Sequence, residues 1–252
     1  MIIDGDDIAG EVLVPRPDQS VTAVAPPGGG PGYWVGGPSA VECEGDIYLA
    51  YRLRRPLGMG RGYAVEVARS RDGEHFETLL TITKEEMRAE SLERPALVRT
   101  AEGIWRLYLS CGTYGTKHWR VELIEAANPA GFDARQSRVA LPGDVKTAVK
   151  DPVIVHHGGI WHLWASCHPL ENPTETDQMV SDYATWESKD GLSFRFHMVQ
   201  KSDTAVTNQT DGSAHLTRTG GPGEVVYRLP KETKAALDPV LERKHAMRIE
   251  RR

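Results

Sequence analysis

Cysteine is scarce in this chain: Cys43, Cys111 and Cys167 are the only three in 252 residues. So sparse and odd a set makes no disulfide framework, and the reading is of small apolar thiols in a reducing compartment. Long apolar runs are missing too. No segment approaches the roughly 20 residues that a membrane-spanning helix needs. No secretory leader precedes the first strand signals, so the expectation is a cytoplasmic protein without a membrane partner. Positive charge is not concentrated either: the net charge is −5, and with no basic stripe nucleic acid is not an expected partner. Histidine never recurs at His-x-His or His-x-x-x-His spacing, so neither a resident metal nor a cofactor is expected.

What the chain does contain is a repeat. Lys150-Asp151-Pro152-Val153-Ile154-Val155 is a short apolar run that turns at His157-Gly158-Gly159 and re-enters as Ile160–His168. It closes on Ser188-Lys189-Asp190-Gly191-Leu192-Ser193-Phe194. Alternating runs separated by Gly and Asp-Gly turns read as antiparallel hairpins. The same unit begins at Gly37-Pro38 and at Arg94-Pro95, so the prolines recur every 57 residues (95 − 38 and 152 − 95). All-β repeats of that length are propeller blades, each burying its faces against the next.

Taken in order, residues 1–33 hold an acidic patch (Asp4, Asp6, Asp7), a strand at Glu11–Val14 and a Pro/Gly loop, Pro26–Gly32. Three clear units follow at about Tyr33–Glu90, Ser91–Gly143 and Asp144–Gln200. The first carries a basic cluster, Arg52, Arg54, Arg55 and Arg61, which is either a binding loop or a solvated hairpin. A fourth unit should open near residue 209 but is degraded to one weak hairpin, and Lys231–Arg252 reads as helix. The expectation is a single domain over residues 1–252: an all-β, five-bladed propeller of four-stranded antiparallel blades. Its last blade would be degraded or shared between the termini, ahead of a short C-terminal helix.

Trp105 and Trp161 occupy the same place in two units, which marks inter-blade core. Trp34, Tyr114, Trp119 and Trp164 do not repeat in that way, and each is open to two readings, a face that stacks on a sugar ring or burial between blades. The Asp72-Gly73 and Asp190-Gly191 turns read as turn chemistry, Asp accepting local hydrogen bonds and Gly supplying positive φ.

The Pro-led strand openings, acidic at Asp151-Pro152, and the Ser-x-Asp-Gly closing turns of the first and third units, in register over 33–200, resemble the five-bladed propeller glycosidases of glycoside hydrolase families forty-three, thirty-two and sixty-two. That resemblance implies carboxylates on the innermost strands of successive blades, converging on one channel. Glycoside hydrolysis needs a proton donor and a second carboxylate, about 6.5–9.5 Å apart in inverting enzymes. A further carboxylate can hold the donor protonated.

Carried over, Asp151 matches the family's Asp-Pro pair. In the second unit the residue before Pro95 is Arg94, and Glu93 lies one step earlier, reaching the channel only through a bulge. The first unit has Gly37 where the family's general base stands. The resemblance therefore implies Glu93 as proton donor, Asp151 as the residue that holds its pKa and orients the sugar, and Lys150, Arg94, His118, His168, Trp34 and Tyr114 as substrate contacts. A base would come from Asp4, Asp6, Asp7, Glu171, Glu175 or Asp177. Otherwise the channel performs different chemistry, or the propeller binds a carbohydrate-like ligand and turns nothing over.

Overall fold

The computed structural model describes residues 2–3, 20–144, 146–170, 182–200, 203–208, 214–219 and 225–229. It divides into two compact units, Val21–Val199 and the two termini, Met1–Ser20 with Gln200–Arg252.

The larger unit holds three four-stranded antiparallel sheets in consecutive strand order. With β1 being Ile2–Ile3 of the other unit, the first blade is β2 (Trp34–Cys43), β3 (Asp46–Arg54), β4 (Gly62–Ser70) and β5 (Glu77–Thr83). The second is β6 (Ala96–Arg99), β7 (Trp105–Gly112), β8 (Trp119–Ala126) and β9 (Arg138–Leu141). The third is β10 (Thr147–His157), β11 (Ile160–Pro169), β12 (Asp182–Ser188) and β13 (Arg195–Gln200). The units expected from the 57-residue spacing are these three blades.

The smaller unit contains one sheet, β14 (Asp203–Asn208), β15 (Ala214–Thr219) and β16 (Val225–Leu229), antiparallel among themselves. Its fourth strand is β1, which pairs parallel with β16, Ile2 opposite Val226. A sheet assembled from both ends of the chain is therefore present. Four sheets form among the described residues; the expected strand at 11–14 and helix at 231–252 lie outside them.

The period-2 geometry of a strand explains the core. All eight residues of β7 are buried, because the second blade is covered on both faces. Trp105, Leu107, Leu109 and Cys111 pack with Val65, Val67 and Leu97 in one cluster that joins the first two blades. Tyr48 meets Trp105 there, ring centroids 4.8 Å apart. The intervening Tyr108 turns the other way, into a cluster with Trp161, Leu163 and Trp186 of the third blade. Trp105 and Trp161 are inter-blade core, as their matched positions imply. The cysteines are all free, Cys111 fully buried.

The closing turns behave alike in two blades. Asp72 Oδ1 accepts from the Glu74 and His75 amides, and Asp190 Oδ1 from those of Leu192 and Ser193. These bonds lower both carboxyls below the usual carboxylate range, for Asp72 mainly the bonds from His75 and for Asp190 chiefly the Leu192 amide. The Asp190 turn also staples blades together: Arg106 Nη1 donates to its carbonyl at 2.6 Å, and the buried Tyr108 hydroxyl donates to the Gly191 carbonyl at 2.6 Å. Tyr108→Phe strands that carbonyl without a partner. It should lower unfolding free energy by about 1–2 kcal/mol, read as a shift in urea midpoint with unchanged m-value.

Candidate functional site

A cavity of about 850 Å³ lies within the larger unit, lined from all three blades. Its floor is built by irregularities in the innermost strands. In β2 the pairing with β3 slips between Gly36 and Ser39, and in β10 the pairing with β11 slips between Lys150 and Val153. Each slip contains the repeated x-Pro pair. Gly37 has φ 64° and Asp151 has φ 57°, so the same left-handed bulge recurs, once with glycine and once with aspartate. Aspartate tolerates that region better than most residues.

In the second blade, Leu92 bridges Cys111 and Ala96 pairs with Tyr108. Three residues, 93–95, therefore oppose two, and this irregularity brings Glu93 to the cavity beside Arg94. The two expected carboxylates, Glu93 and Asp151, thus line one space although they are far apart in sequence.

Ser110, with no exposed surface, connects them. Its carbonyl accepts from the Glu93 amide at 3.0 Å. Its hydroxyl accepts from the Asp151 amide at 2.8 Å and donates to the Arg94 carbonyl at 3.0 Å.

Glu93 is buried and ion-paired with Arg52, which is buried equally. Asp151 Oδ2 lies 3.6 Å from Lys150 Nζ. Burial depresses the pKa of Arg52; the carboxylate of Asp151 opposes that shift and the charge of Arg61 adds to it. Burial likewise holds the pKa of His168 below its ordinary 6.5, with Lys150 pushing the same way and Asp151 against it.

Strand alternation selects the remaining walls. In β11, Trp161, Leu163 and Ala165 face the core, and Trp164, Ser166 and His168, on the other face, line the cavity. In β3, Tyr51 and Leu53 join one cluster, while Arg52 and Arg54 face the cavity with Arg61 from the following turn. Trp119 completes the wall, and Lys150 Nζ sits 5.5 Å from its ring centroid.

Of the eight residues expected from the sequence, Glu93, Asp151, Lys150, Arg94 and His168 meet in the cavity. His118, Trp34 and Tyr114 are not among its lining residues. His118 Nδ1 is 3.2 Å from Thr113 Oγ1, within the β7–β8 loop. Trp34 lies beneath two guanidiniums, Arg52 at 4.8 Å and Arg54 at 5.7 Å. Tyr114 stands exposed on its loop.

Trp119 and Trp164, open to two readings in the sequence, line the cavity, and Arg52, Arg54 and Arg61 of the basic cluster line it with them. Arg52-x-Arg54 and Trp164-x-Ser166-x-His168 carried the signal, since each sits at period 2 opposite a core-facing set. The alternative bases, Asp4, Asp6, Asp7, Glu171, Glu175 and Asp177, lie outside the described residues. Among the described residues no three His, Cys, Asp or Glu side chains gather as metal ligands, and no helix is long and apolar enough to cross a membrane.

A family 117 glycoside hydrolase produced by Zobellia galactanivorans is 15% identical over 77% of this chain and 66% of its own, with a TM-score of 0.51. The family 32 β-fructofuranosidase of Bombyx mori is 16% identical over 72% of this chain and 42% of its own, with a TM-score of 0.50. A family 43 enzyme from Xanthomonas citri, complexed with xylotriose, is 14% identical over 72% and 65%, with a TM-score of 0.49. The chain spans less than two thirds of the length of each. At these identities the first two show the fold alone. It is a glycosidase-like propeller fold. The profile of a family described as EipB-like matches residues 169–249, about a third of the chain, across β12 to β16. No curated protein matches the sequence.

Two outcomes follow from the geometry. Ser110→Ala removes the acceptor of the Asp151 amide inside the protein and should cost about 1–3 kcal/mol of unfolding free energy. For His168, the folded pKa lies below the unfolded one, so its stability contribution is present above pH 6.5 and declines as pH falls below that value. Its imidazole NMR titration midpoint should therefore fall below 6.5, and Lys150→Met should raise it.

Proposed function

We propose that the cavity receives a small glycoside or oligosaccharide and that the protein is a glycosidase-like hydrolase working through Glu93 and Asp151. The observation that carries this reading is the meeting of these two carboxylates, from different blades, in one cavity of about 850 Å³. That volume falls within the roughly 300–1,000 Å³ of ligand pockets. The half-buried indoles of Trp119 and Trp164 offer apolar faces for sugar rings. In the proposed reaction Glu93, protonated once Arg52 releases it, gives its proton to the leaving oxygen as the glycosidic bond breaks. Water bonds to the anomeric carbon and loses its proton to solvent, and Asp151 orients the sugar, with Lys150, Arg94 and His168 contacting hydroxyls. The glycoside hydrolases of like fold support the substrate class.

A second reading, sugar binding without turnover, draws on Gly37. It stands at the bulge position matching Asp151 and supplies no carboxylate.

Glu93→Gln separates the two, provided circular dichroism shows the fold intact, since the buried Arg52 loses its ion partner. In a hydrolase it should lower kcat on chromogenic arabinosides, xylosides, galactosides or fructosides by about 100-fold or more, while sugar affinity by calorimetry changes little. A wild-type protein that binds sugar and cleaves none of them supports the second reading. In that case Gly37→Asp becomes informative. A Cβ there would lie 3.5 Å from Arg94 Cγ, an ordinary contact, and Asp151 shows that aspartate accepts the backbone. Gained hydrolysis would show that only the base was missing.

A further inference from the structure

The cavity inverts the charge of the chain. The protein carries a net −5, yet six cations line this space, Arg52, Arg54, Arg61, Arg94, Lys117 and Lys150, against the two carboxylates Glu93 and Asp151. Arg52 is spent on Glu93 and Lys150 lies beside Asp151. Arg54 rests on the Trp34 ring. Neither it nor Arg61, Arg94 or Lys117 has a carboxylate partner among the described residues. Arg61 lies close enough to Arg52 to disfavour its charge. The buried Arg52 Nε has no hydrogen-bond partner among the described residues. A neutral sugar would leave this excess charge unanswered in a concave, partly desolvated site, where like charges oppose one another.

We infer that the ligand of this cavity is a sugar bearing an oxyanion, a carboxylate, sulfate or phosphate group, held by Arg54, Arg61 and Arg94 with Lys117. Guanidinium forks match all three oxyanions with paired N–H···O bonds, and Lys117 adds a point charge. Trp119 and Trp164 are left to receive the ring, and Glu93 and Asp151 remain beside it. This inference rests on the sugar-binding reading of the same cavity and narrows its substrate class.

Calorimetry on the full chain tests it with trigalacturonate, glucose 6-sulfate and glucose 6-phosphate. Galactotriose and glucose are the neutral counterparts, and inorganic sulfate and phosphate the free-ion controls. At least one anionic sugar should bind about tenfold or more tightly than its neutral counterpart. Its affinity should fall as salt rises from about 50 to about 500 mM. Arg61 and Arg94 are exposed, so Arg61→Gln and Arg94→Gln should leave thermal melting unchanged while each weakens anionic-sugar binding about fivefold or more.

Equal or absent binding of anionic and neutral sugars overturns the inference. So do variants that leave the affinity unchanged, and so does inorganic sulfate or phosphate binding as tightly as every sugar, an adventitious ion only. The two readings fail separately. Anionic sugars that bind but are never cleaved remove the hydrolase and keep this inference. Neutral glycosides bound and cleaved at least as well as their anionic counterparts keep the hydrolase and remove it.

Discussion

Three backbone groups of the cavity floor converge on Ser110. Its carbonyl takes the Glu93 amide, and its hydroxyl takes the Asp151 amide and gives its proton to the Arg94 carbonyl. The residue lies in β7, all eight of whose residues are buried, and is itself fully buried. A hydroxyl can accept and donate at once, so a single small side chain satisfies two bulged backbones that would otherwise have unpaired groups. The second and third blades are thereby registered against each other at the level where their carboxylates emerge.

Those bulges explain why an irregular ladder is kept in an otherwise regular fold. A continuous strand would send neighbouring residues to opposite faces. The slip at Asp151-Pro152 and the extra residue at 93–95 re-aim acidic side chains toward the cavity, while the prolines, which have no amide hydrogen, leave no unpaired donor within the gap. The first blade repeats the device with Gly37 and contributes cations instead, Arg52 and Arg54 from β3. One backbone solution thus carries two chemistries. The Arg52–Glu93 pair joins them across the boundary between the first and second blades, and burying it is costly enough that each partner requires the other.

Much of the architecture was legible because it is periodic. The Pro38, Pro95 and Pro152 spacing marks three blades, Trp105 and Trp161 mark the inter-blade core, and the Asp72 and Asp190 turns make local hydrogen bonds as their composition requires. Non-repeating features were harder. Trp34 and Trp164 look alike in sequence, yet one lies under arginines at the head of β2 and the other lines the cavity on β11. Arg52 and Arg54 read as part of an undifferentiated basic loop, because the partner that gives Arg52 its place, Glu93, is a blade away.

Short-range chemistry needs only neighbours in the chain, and so the alternation of β7, the Asp-Gly turns and the hairpin lengths were determined by the sequence alone. Convergence is different. That Glu93, Asp151 and six cations share one space depends on how three sheets stack, on where their ladders slip, and on a buried hydroxyl between them. Charge adds up by distance in space and not by distance along the chain. An acidic protein could therefore carry a basic cavity that no local reading of its residues would show.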